Sequence, residues 1–202
     1  MDRPASDIAF TPAVKAQQAR LGSRAQYERM ERGQGWENSI TPDLANLLSN
    51  VRSFYLGTAS ADGQPYIQHR GGPAGFLHTL DDHTLGFADF SGNRQYITAG
   101  NLSENPRAII FVMDYARRLR IKIWGRARIV EDDDALLARL RPPVSGLSAE
   151  RSILFTVEAW DRNCPKHIPQ LLRVEDFEAA LGPLQSRIEE LEAEIERLRS
   201  RI

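Results

Sequence analysis

The chain has 202 residues, 42% of them apolar, with 26 basic and 27 acidic side chains, a net charge of −1 and one cysteine, Cys164. That length and composition suit one ordinary domain with appendages, and without a basic surplus they argue against a nucleic-acid protein. A lone cysteine excludes an internal disulfide and fits a reducing compartment; no apolar signal core or stretch of about 18 apolar residues is present, so a soluble, cytoplasmic protein without a membrane span is expected.

Residues 1–50 read as an N-terminal helical segment. Val14–Glu31 carries Val14, Leu21, Ala25 and Met30 among charged residues, which predicts one surface helix ended by Gly33-Gln34-Gly35. Thr41-Pro42-Asp43 starts another: a hydroxyl at the N-cap, a proline where no N–H is needed, and an acid in the first turn. Leu44, Leu47, Leu48 and Val51 form its apolar stripe.

Strand patterns begin at Ser53. Ser53–Ala59 and Pro65–Arg70 flank the turn signal Ala61-Asp62-Gly63-Gln64. Leu80–His83 turns the chain into Thr84–Ala88, and its neighbours His78 and His83 are expected to face solvent. Arg94–Leu102 reads as a short helix stopped by Ser103-Glu104-Asn105-Pro106. Arg107–Asp114 is nearly continuously apolar, which predicts a strand covered on both faces. After a turn at Tyr115–Leu119, Arg120–Ile129 alternates Ile121, Ile123, Gly125, Ala127 and Ile129 with Lys122, Trp124, Arg126 and Arg128. Asp132–Asp134 begin a helix through Arg141, acting as caps and dipole partners rather than as a cation site. Arg151–Trp160 is the last long strand. Six strand signals with few helices between them predict a mainly β, α+β fold, an antiparallel split β-barrel over 51–173 with flanking helices.

The tail, 174–202, is expected to be a coiled-coil helix. Leu184, Ile188, Leu191, Ile195, Leu198 and Ile202 alternate steps of four and three, with Gly182-Pro183 as the start. Ile at a and Leu at d favour a parallel two-stranded coil, in which Arg187 faces the partner's Glu192 and Glu194 the partner's Arg199. Packing of the same stripe on the chain's own barrel is the alternative.

The chemistry concentrates in Tyr66–Arg94. Arg70 and Arg94, each beside glycine or asparagine at the end of a strand-like run, suit a small phosphorylated ligand. Glycine admits the ligand to backbone N–H groups, and guanidinium matches phosphate oxygens. Cys164-Pro165-Lys166-His167 offers two ligand types three apart but no second pair, so no metal site is assigned; a free cysteine in a loop or a thiol activated by Lys166 and His167 are the other readings. Trp36, Trp124 and Trp160 are candidates for a ring-covering role or for core and interface.

Phe54–Asp132 resembles the FMN-binding split barrel of the pyridoxamine 5′-phosphate oxidase-like family. The resemblance lies in FYLGTASADGQPYIQHRGGPAGF, LGFADFSGNRQYITAGNLSENPRAIIFVMD and LRIKIWGRARIVED, with FTPAVKAQQARLGSR and WDRNCPKHIPQ outside them resembling one bacterial branch. It implies a homodimer with flavin sites at the subunit interface. Gln68, His69, Arg70 and Gly71 would line the flavin ring and ribityl chain, Asn93 and Arg94 would hold the phosphate, and Asp89 and Phe90 would lie beside the ring. The second subunit would add Arg120, Trp124 and the Trp160–His167 loop with Cys164.

The implied activity is that of an FMN-dependent oxidoreductase, passing electrons from a reduced nicotinamide or similar donor to a small organic acceptor or oxygen. Flavin chemistry requires no amino-acid nucleophile, and no triad or HExxH motif is present, so no catalytic side chain is assigned. The chain runs through WDRNCPKHIPQ into its tail in place of the oxidase's arginine-bearing end, which argues against pyridoxamine phosphate as substrate. A flavin carrier or sensor, and haem binding or breakdown with His167 or His69 as axial ligand, are the rival functions; deazaflavin is the rival cofactor.

Overall fold

The computed structural model describes residues 3–33, 35–143, 146, 148–163 and 165–200. It comprises two compact units, Met1–Met113 with Arg120–Cys164, and Asp114–Leu119 with Pro165–Ile202.

In the first unit, a 3-10 turn at Ala5–Ile8 precedes α1 (Pro12–Arg20) and α2 (Arg24–Arg32). The expected single helix is therefore two. Gly22, at φ 80°, takes the left-handed backbone that breaks it, and Leu21, placed on the apolar stripe by the sequence, is 70% exposed. Thr11 caps α1 at the Val14 amide, and Thr41 caps α3 (Pro42–Leu48) at Leu44 in the same way. Leu44, Leu48 and Val51 are buried as expected.

The strands are β1 (Ser53–Ala59), β2 (Pro65–Gly71), β3 (His78–Thr79), β4 (Thr84–Phe90), β5 (Arg107–Asp114), β6 (Leu119–Val130) and β7 (Ala149–Asn163), with α4 (Ile97–Glu104) and α5 (Asp134–Leu140) between them. They form one seven-stranded antiparallel sheet, ordered β2-β1-β5-β6-β7-β4-β3 and curled as a split barrel. The seventh strand is β3, two residues too short to show a period. The barrel interior takes Phe54, Leu56, Phe76, Leu85, Phe87, Ile110, Ile123, Ile153 and Phe155, each at most 2% exposed. Burial of side chains this size contributes roughly 1.5–3 kcal/mol apiece.

β6 alternates as predicted, with Ile121, Ile123, Gly125 and Ala127 inward. β5 differs from expectation: Ala108, Ile110 and Val112 are buried, whereas Ile109, Phe111 and Met113 are only half-covered, so the described residues cover one face of this apolar run only in part. His78 is also a correction. It lies in β3, partly buried, with Nε2 out of solvent and without a partner. Loss of solvent lowers its pKa from the ordinary 6.5, against an opposing hydrogen bond to the Leu140 backbone. His83 is exposed, as expected, and its Nδ1 meets the Asn38 carbonyl at 3.0 Å. Asp133 caps α5 through the Leu136 amide.

Residues 37–40 run beside the sheet: the Trp160 amide donates to the Glu37 carbonyl, and the Ile40 amide to that of Asp82. Trp36 stacks on Trp124 with ring centroids 4.7 Å apart, and Phe10 packs on Trp36 and Tyr27. The N-terminal segment thus covers the outward side of β6 at Trp124.

In the second unit, Arg118 donates to the Ile168 carbonyl and Gln170 to that of Ala116. Its helix α6 (Val174–Arg199) has 26 residues and contains Pro183, so Gly182-Pro183 does not start it. The heptad spacing correspondingly extends back through Leu181 to Phe177 and Val174. Val174, Phe177, Leu184, Ile188, Leu191, Ile195 and Leu198 are between 42% and 69% exposed, so the described chain leaves this stripe bare. Among the described residues no helix is long and apolar enough to cross a membrane.

Candidate functional site

The site is built where the ends of β2 and β4, the start of α4 and the start of β7 meet. Alternation along β2 places Tyr66, Gln68 and Arg70 on its half-buried side and Ile67, His69 and Gly71 on its exposed side. β4 ends in Asp89 and Phe90, and the chain then passes through Ser91–Tyr96. Arg94 (φ 58°) and Tyr96 (φ 53°) both take the left-handed backbone that non-glycine residues rarely adopt. This is why α4 begins at Ile97 and not at Arg94. Tyr96 sits at its N-cap position and offers no side-chain cap to the first turn.

β7 contributes through a bulge. Asp89 pairs with Arg151 and Phe90 with Ala149, which leaves Glu150 as the extra residue. Strict alternation would send Glu150 and Arg151 to opposite faces; with the bulge, both line one cleft with Tyr66, Gln68, Arg70, Asp89, Phe90 and residues 92–99. The cleft is open to solvent, and the space between its walls, open solvent included, is about 440 Å³.

Its charges are interlocked. Arg70 donates to Asp89, while Arg151 Nε lies 3.2 Å from the other Asp89 oxygen. Arg151 also reaches Glu131 at 2.7 Å and Glu150 at 3.2 Å, with the Tyr96 ring beneath its guanidinium. Glu150 accepts from the Ser91 hydroxyl at 2.7 Å and lies 3.5 Å from Arg94. The Ser91 hydrogen bond, aided by Arg94 and Arg151, holds the Glu150 carboxyl below the usual carboxylate range. Thr98 donates to the Gln68 side chain at 2.7 Å. Arg70 Nε is buried without an acceptor, and Arg94 is 71% exposed at the side chain.

Of the residues expected at a flavin site, the structure brings together Gln68, Arg70, Asp89, Phe90, Asn93 and Arg94. His69 and Gly71 lie on the opposite side of β2, His69 edge-on to Tyr55. Arg120 and Trp124 alternate with the inward residues of β6; Arg120 Nε is buried without a partner, and Trp124 is stacked by Trp36. The Trp160 indole donates to the Ser39 carbonyl at 2.8 Å. Cys164 lies outside the described residues. Tyr66, Tyr96, Thr98, Glu150 and Arg151 are the additions. Only a pairing register joins Arg151 to Asp89, and nothing in the local sequence marks the bulge.

No curated protein matches the sequence. Solved structures similar to it include HupZ of Group A Streptococcus (21% identity, 66% of this chain and 99% of that one, TM-score 0.48). An FMN-binding protein of Syntrophomonas wolfei is similar at 15% identity over 82% of this chain and all of that one, TM-score 0.46. The FAD-binding protein of Mycobacterium smegmatis is similar at 15% identity over 62% and 96%, TM-score 0.44. The family model of pyridoxamine 5′-phosphate oxidase matches residues 40–164, from just before the Thr41 cap of α3 through the end of β7. With that span covering the whole barrel and its cleft, the chain belongs to the pyridoxamine 5′-phosphate oxidase family.

Proposed function

We propose that the cleft binds the phosphate of FMN and that the protein is an FMN-dependent oxidoreductase. One observation carries this reading: Arg70, Arg94 and Arg151 converge on a loop held in left-handed backbone at the uncapped start of α4. An anion there meets guanidinium groups, backbone amides and the positive end of a helix together. The unsatisfied Arg70 Nε is the donor such an anion would answer. At neutral pH a phosphate monoester carries close to two charges, which three arginines offset with help from the loop amides.

Gln68, with its amide fixed by Thr98, is placed to orient the ribityl chain, and Phe90 to flank the ring. Bound flavin supplies hydride and electron chemistry; the chain binds it, aims it and keeps water from it. The donor in this reading is a reduced nicotinamide and the acceptor a small organic molecule or oxygen.

The proposed assembly is a homodimer. Half-covered Ile109, Phe111 and Met113, exposed Ile67 and Tyr55, and the bare stripe of α6 are the apolar surfaces a second copy would cover. Attraction between Arg187 and the partner's Glu192, and between Glu194 and the partner's Arg199, supports a parallel in-register coil.

The absorption spectrum of the purified protein tests the cofactor. Oxidised-flavin maxima with about one chromophore per chain are expected, whereas a Soret band on haem addition with no affinity for FMN would replace the reading. Steady-state oxidation of NADH or NADPH by FMN-loaded protein separates an enzyme from a carrier.

A further inference from the structure

We propose that Glu150 is a built-in competitor for the phosphate position, an internal anion that the incoming phosphate must displace; this rests on the phosphate reading above. The groups around its carboxylate are those an oxyanion site requires: the Ser91 hydroxyl at 2.7 Å, Arg151 at 3.2 Å, the Tyr96 hydroxyl at 3.4 Å and Arg94 at 3.5 Å. Two hydroxyls and two guanidiniums converge on one pair of carboxylate oxygens, and a phosphate would draw on the same donors.

Two departures from regular backbone bring this about. The β4–β7 bulge turns Glu150 into the cleft beside Arg151, where alternation would have pointed it away. The left-handed backbone at Arg94 and Tyr96 shapes the loop that places both residues against it. An acid whose only task was to balance surface arginines would need neither.

Arg70, Arg94 and Arg151 face Asp89 and Glu150 across the cleft, and Glu131, outside its lining, lies 2.7 Å from Arg151, so the resident acids balance the three arginines. Withdrawal of Glu150 frees one positive charge toward a ligand with nearly two negative ones. Asp89 cannot serve this purpose: it is held between Arg70 and Arg151, with its side chain 15% exposed. Glu150, with its side chain 23% exposed, shares only Arg151 with Asp89; its other partners, Ser91, Tyr96 and the exposed Arg94, belong to the loop and not to the barrel. The consequence is a site that keeps its arginines oriented while favouring ligands with a doubly charged phosphate over weaker anions, which cannot outcompete the resident carboxylate.

The test compares FMN and riboflavin binding, by flavin fluorescence, in the wild type, Glu150→Gln and Arg94→Ala. Glu150→Gln is expected to tighten FMN by about tenfold, the size of a single like-charge repulsion removed from a partly solvated site, and to leave riboflavin unchanged. Glu150→Asp, which keeps the charge but withdraws it by one methylene, gives a smaller gain and serves should the amide variant fold poorly. If FMN binding depends on Arg94 yet is equal or weaker in both Glu150 variants, the competitor idea is overturned while the phosphate reading stands. If wild type and Arg94→Ala bind FMN alike, the phosphate reading itself falls.

Discussion

The N-terminal helices and the cleft each contain a network of basic and acidic side chains. In the first, Lys15 of α1 and Arg24 of α2 pair with Asp7 of the 3-10 turn and with Glu28 and Glu31 of α2. Glu31 Oε1 lacks a hydrogen bond, but Lys15 lies 3.9 Å from it. In the second, Arg70, Arg94 and Arg151 pair with Asp89, Glu131 and Glu150 on a bulge and a left-handed loop. Its orphans are donors, Arg70 Nε and Arg151 Nε, the latter 3.2 Å from Asp89, and its outermost arginine stands largely in water. The same residue types thus serve two ends. A network on helices with its charges answered fastens the chain to itself; one on strained backbone with donor capacity left over is what the proposed phosphate site requires.

The largest expected effect breaks the second network. Arg70→Ala combined with Arg94→Ala should weaken FMN binding about a hundredfold or more, since each charge-assisted contact contributes roughly 1.5–3 kcal/mol; unchanged affinity in a fluorescence titration would remove the distinction drawn here. Arg24→Ala attacks the first network and strands Glu28 and Glu31. It should lower the thermal midpoint and leave FMN affinity as it was, and a loss of affinity would show the two networks to be coupled.

Acid sharpens the comparison further. His78 in the barrel has a folded pKa below its free value of 6.5, so the unfolded chain takes up its proton first. That contribution to stability is complete above about pH 6.5 and is lost as pH falls through the lower folded value. Asp7 is held below its ordinary 3.8, chiefly by the Lys15 hydrogen bond, so its contribution persists until pH falls through a still lower value. Denaturant titrations across this range should show the barrel weakening first, and His78→Gln should abolish the earlier phase. The smallest effect is the loss of the α3 cap: Thr41→Ala should cost about 1 kcal/mol, read as a shift in the denaturation midpoint with no change at the cleft.

How far the sequence could be read follows from what each feature depends on. Strands with a strong period, such as Leu119–Val130, and caps formed by neighbours, such as Thr41 on Leu44, are local and were legible. So was the presence of both Arg70 and Arg94 at one cleft. The break at Gly22 was missed because the flanking charged residues fit one helix or two equally well. β3 was missed because two residues carry no pattern. Arg151 and Glu150 enter the cleft through register and a bulge, both set by partners about sixty residues away in the chain. Local composition holds no trace of them. The half-covered face of β5 has a related cause: a continuous apolar run reports that a surface avoids water without saying whose surface covers it.

The parallel indoles of Trp36 and Trp124, 4.7 Å apart and tilted by 14°, have an optical consequence. Chromophores so close share their excited states, and where their transition moments are skewed within the stack a split circular-dichroism band in the ultraviolet is the signature of that sharing. One ring belongs to the leading segment and the other to a barrel strand. The band therefore reports whether the two are joined, and it does so without any label.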